Sequence, residues 1–63
     1  MYTYTIFNVD GTEKIFEAED HQYVPKVDKE GIPTGKVLFV LTKKKGKIKI
    51  PSEKVQGWKR VEL

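Results

Sequence analysis

One histidine, one serine and no cysteine are the side chains from which a nucleophile and its base would be drawn in this 63-residue chain. Nucleophilic catalysis needs the base within hydrogen-bond reach of the nucleophile and a third group to orient that base. His21 stands beside Asp20 in an irregular stretch, whereas Ser52 follows Pro51 near the far end, where a serine at a helix start serves as an N-cap. The same histidine lies close in sequence to Glu17, Glu19 and Asp20, and imidazole with carboxylates suits several divalent ions. Carboxylates that alternate along a strand form its solvated face, however, and a lone exposed histidine needs no ligand. Gly31 and Gly35 lack the helix start and the Lys-Ser/Thr pair of a phosphate-binding loop. We therefore expect no enzyme, no metal site and no cofactor.

Binding chemistry is better represented, because charge is divided unequally along the chain. Residues 1 to 32 hold three lysines against seven carboxylates, net −4, and residues 33 to 63 hold nine basic residues against two carboxylates, net +7. The basic half concentrates in Lys43, Lys44, Lys45, Lys47 and Lys49, followed by Trp58, Lys59 and Arg60. Cations that neutralise phosphates beside an aromatic face that stacks on a base are the working combination of single-strand binders. Small basic domains also bind duplexes through a sheet face, which leaves strandedness open. Against this, lysines on a hairpin tip and an edge strand keep sheet edges from pairing and keep a small protein soluble. Lysine outnumbers arginine eleven to one, although specific phosphate and base recognition favours the arginine fork. Two partners are thus expected as alternatives, a nucleic acid or an acidic protein surface.

The elements that must position these residues are strands. Seven Val, five Ile and five Thr stand against three Leu and one Ala, and β-branched residues suit a pleated, half-buried surface. Tyr2 to Asn8 alternates Tyr2, Tyr4 and Ile6 with Thr3, Thr5 and Phe7, the period of a strand. Asp10-Gly11 reads as a hairpin turn, and a second strand runs from Glu13 to about Glu19 with Phe16 and Ala18 inward. Tyr23, Val24 and Val27 surround Pro25, which cannot donate to a central ladder, so this stretch is expected as an edge strand or an extended loop. Residues 28 to 35 are rich in turn formers and read as an exposed connection. Lys36 to Thr42 holds five consecutive apolar residues and is expected at the centre of a sheet. Lys47-Ile48-Lys49-Ile50 returns beside it with isoleucines inward and lysines outward. Pro51 to Val55 predicts one helical or 3₁₀ turn, and Gly57 to Leu63 a closing strand.

Ile50-Pro51-Ser52-Glu53-Lys54-Val55 is similar to the end of Src-homology-3 (SH3) domains, where a Pro-Ser pair opens a 3₁₀ turn and a valine leads into the last strand. Asp10-Gly11 followed by Phe16-Glu17-Ala18-Glu19 resembles uncharacterised small proteins of Gram-positive bacteria and their phages. The resemblance implies an SH3-like barrel and assigns no activity. The Ala-Leu-Tyr-Asp-Tyr strand and the tryptophan after an acidic loop that hold proline-rich ligands are absent, with Tyr2 and Tyr4 the nearest substitute, which speaks against proline-peptide recognition. The whole reading is a single all-β domain over residues 1 to 63. It has five strands in an SH3-like barrel, with one short 3₁₀ or helical turn near residues 51 to 56. No apolar run approaches the roughly 18 residues of a membrane span and no signal peptide is evident, so a cytoplasmic protein without a membrane partner is expected. A domain this short has a core worth only about 3 to 5 kcal/mol and no disulfide to add to it.

Overall fold

The computed structural model describes residues 1–63 as strands joined by tight connections, with no α-helix. In chain order the strands are β1 (Tyr2–Asn8), β2 (Glu13–Ala18), β3 (Asp20–Val27), β4 (Pro33–Lys43), β5 (Gly46–Pro51) and β6 (Val55–Glu62), with a 3₁₀ turn at Ser52–Lys54 between the last two. They form two three-stranded sheets, ordered β2-β1-β6 and β3-β4-β5, with every pairing antiparallel.

Six strands replace the expected five. The added one is β3, the stretch around Pro25, and it takes the edge of its sheet, where a residue without an N–H is tolerated. Its pairing with β4 shifts register between Pro25 and Val27. A single residue, Glu19, separates β2 from β3, so the chain passes from one sheet to the other almost without a loop. The Glu19 amide bonds the Thr42 carbonyl at 2.8 Å and fixes this corner. The 3₁₀ turn makes the opposite crossing, from β5 to β6. Ser52 was expected to cap that turn. Instead Pro51 occupies the cap position and no side-chain oxygen bonds the turn's amides, because Ser52 is already its first residue.

The Asp10-Gly11 hairpin forms as expected, with Gly11 at φ 88°. The Asp10 carboxylate accepts the Thr12 amide at 2.9 Å and the Thr12 hydroxyl at 2.6 Å. These bonds, the hydroxyl's first, hold the carboxyl below its ordinary range. β4 is the central strand of its sheet, and Phe39, Val40 and Leu41 are consecutively buried along it. Between the sheets lie Tyr4 and Ile6 of β1, Ala18 of β2, and Phe39 and Leu41 of β4, with Tyr2, Phe16, Ile48, Ile50, Val55 and Trp58 packed around them.

Candidate functional site

β3 and β6 are edge strands of different sheets, and their inward side chains meet over the end of the core. His21 and Tyr23 alternate on β3 opposite Leu41 and Phe39, and Trp58 and Arg60 alternate on β6 opposite Ile6 and Tyr4. The result is an aromatic strip. His21 lies 4.3 Å from Trp58 and 5.7 Å from Phe39 between ring centroids, and Tyr4 lies 5.7 Å from Trp58. The Trp58 indole N–H donates to the Tyr23 hydroxyl at 2.9 Å, which ties the two sheets together at the surface. Tyr23 is 57% exposed and Trp58 half-buried, so the strip presents ring surface to solvent.

A polar chain runs behind these rings. Arg60 Nη1 donates to the fully buried Tyr4 hydroxyl at 3.4 Å, and that hydroxyl lies 3.0 Å from His21 Nδ1. Arginine cannot accept, so the Tyr4 oxygen receives from Arg60 while standing within hydrogen-bond distance of the imidazole. The Tyr4 hydroxyl pushes the Arg60 guanidinium further above its ordinary range, with burial opposing. Arg60 also lies 4.3 Å from the Tyr2 ring centroid, and Asp20 Oδ1 lies 3.9 Å from its Nη1. Asp20 receives the His21 amide at 2.8 Å and stands 3.7 Å from His21 Nδ1. His21, expected exposed and isolated, is instead a member of this cluster. Its signal in the sequence was the His21, Tyr23 alternation, which Pro25 obscured.

The basic residues do not gather on one surface. Lys44 and Lys45 make the turn between β4 and β5, with Lys43 paired to Gly46 at its base, and a shallow hollow there includes Met1 and Glu17. Lys47 and Lys49 pair with Thr42 and Val40 on the outer face of the β3-β4-β5 sheet. Lys59 lies on the outer face of the other sheet, its Nζ 6.0 Å from the Phe7 centroid. Only Trp58 and Arg60 of the expected set join the strip, and their contacts run to Tyr2, Tyr4, Asp20, His21, Tyr23 and Phe39.

No protein-family model, curated protein or solved structure matches this chain. The strip offers aromatic faces, one cation and an imidazole. That inventory suits stacking and hydrogen bonding to a planar polar group, with the lysine hairpin and the outer sheet face as separate cationic ground.

Proposed function

We propose that the protein is a non-enzymatic binding module on an SH3-like barrel that binds single-stranded nucleic acid without strong sequence preference. The observation that carries the reading is the Tyr23, Trp58 and Arg60 strip: exposed ring surface with a fixed guanidinium beside it. Stacking of a base on such a platform is worth about 1 to 3 kcal/mol, and every base has a face to offer. Lys43, Lys44, Lys45, Lys47, Lys49 and Lys59 then act at longer range on the phosphates, raising the association rate and the salt dependence. The barrel assignment is supported by the near-absence of a loop at Glu19 and by the 3₁₀ crossing at Ser52–Lys54, the two corners at which strands change sheet.

A second reading has its own observation. On the outer face of the β2-β1-β6 sheet, Ile15 is 68% and Val61 62% exposed. Apolar exposure of this kind suits an adaptor or phage-type inhibitor docking a protein. Titration with a short oligonucleotide separates the two. The nucleic-acid reading expects quenched Trp58 fluorescence, steep weakening with added salt, and loss of affinity in Lys44→Glu and Lys47→Glu. Unchanged fluorescence at low salt refutes it, and partners that survive nuclease treatment of a lysate favour the second.

A further inference from the structure

A groove lies between the other two edge strands, β2 and β5, and shares no residue with the aromatic strip. Its floor is Ile6, itself buried, with Phe16, Ile48 and Ile50 as walls, and its volume is about 570 Å³, within the roughly 300 to 1,000 Å³ of small-ligand sites. The two sheets do not bond to each other along this side, so the core stays open to solvent here.

The polar groups at the mouth are of two kinds. Asn8, Thr12 and Asp10 satisfy one another: the Asn8 amide donates to the Thr12 hydroxyl at 3.1 Å, and that hydroxyl donates to Asp10. Lys14, Lys49 and Lys54 have no carboxylate within salt-bridge distance, since the lysine that does is Lys36, with Glu53. Lys14 stands at an inward-facing position of β2, opposite Ile6, where the pattern of the strand calls for an apolar residue. The groove therefore pairs a floor with nothing to hydrogen-bond and a rim of unpaired cations around one occupied carboxylate.

We infer that this groove binds a free long-chain monocarboxylate, the alkyl chain over Ile6, Phe16, Ile48 and Ile50 and the carboxylate at Lys14 and Lys54. An alkyl tail leaves no polar group to satisfy on that floor, whereas an extended peptide brings amides that would need partners. Each methylene buried favours binding, and the anionic head answers the lysines at the mouth.

The test uses the whole chain, labelled with ¹⁵N, titrated with sodium decanoate below its micelle concentration. Saturable shifts confined to Ile6, Lys14, Phe16, Ile48 and Ile50 are expected, with decanol, matched in chain length, at least tenfold weaker and acetate without effect. Lys14→Glu with Lys54→Glu leaves the core untouched and is expected to weaken decanoate at least tenfold while leaving decanol unchanged. Equal response to decanol, unsaturable shifts spread over the chain, saturation at Tyr23 and Trp58 instead, or equal competition by an acidic peptide lacking an alkyl tail would each overturn the inference. Oligonucleotide binding is measured on the same variant, so failure at the groove is distinguishable from failure at the strip.

Discussion

Replacing Tyr4 by Phe removes one oxygen from the centre of the polar chain and nothing else. Tyr4 is fully buried, its hydroxyl lies 3.0 Å from His21 Nδ1 and 3.4 Å from Arg60 Nη1, and no other partner is within hydrogen-bond reach. A net hydrogen bond contributes about 1 kcal/mol, and an orphaned buried acceptor costs about 1 to 3 kcal/mol. The His21 side chain is 20% exposed and that of Arg60 38%, so water offsets part of the second cost. The expected loss is about 1.5 kcal/mol, which in a domain this small lowers Tm by about 6 to 12 °C. Urea titration followed by circular dichroism measures it, with Tyr2→Phe as control because that hydroxyl makes no hydrogen bond within the chain. A loss no larger than that of Tyr2→Phe would refute the reasoning.

Leu41→Ala, at a fully buried position of the central strand, is expected to cost about 3 kcal/mol, most of the stability of so small a domain, read as a large fall in the urea midpoint by circular dichroism. For Asp10, held below its ordinary range by Thr12, the stabilisation is complete above the unfolded carboxyl's range and is lost as pH falls through the lowered folded value. Asp10→Asn should therefore flatten the acid side of the stability profile in urea titrations from pH 7 downward. Gly46→Val places a β-branched residue at φ 133° and is expected to lose about 1 to 3 kcal/mol, while Gly57→Ala, with nothing within 4 Å of the added carbon and an ordinary φ, should be close to neutral in the same assay.

Local chemistry explains which parts were readable in advance. The Tyr2, Tyr4, Ile6 alternation, the Asp10-Gly11 turn, the five-residue apolar run of β4 and the Lys47 to Ile50 alternation are each decided by residues within a few positions of one another. β3 was obscured because Pro25 argues against a strand unless its outer side is free, and only the sheet order reveals that it is. His21 was read as solitary because its partners are remote: the Tyr4 bond spans 17 positions, the Trp58 to Tyr23 bond 35 and the Arg60 to Tyr4 bond 56.

That the chain is all-β, where its main hairpins turn, and that its cations crowd the second half all follow from short segments, since strand period, glycine φ and charge are local properties. Where those cations point depends on how the strands pair. Because side chains alternate along a strand, Lys59 and Arg60 part company, one to the outer face with Phe7 and the other inward to Tyr4. The same alternation, acting on two sheets joined at Glu19, brings His21, Tyr23, Trp58 and Arg60 into one strip and leaves the groove over Ile6 open.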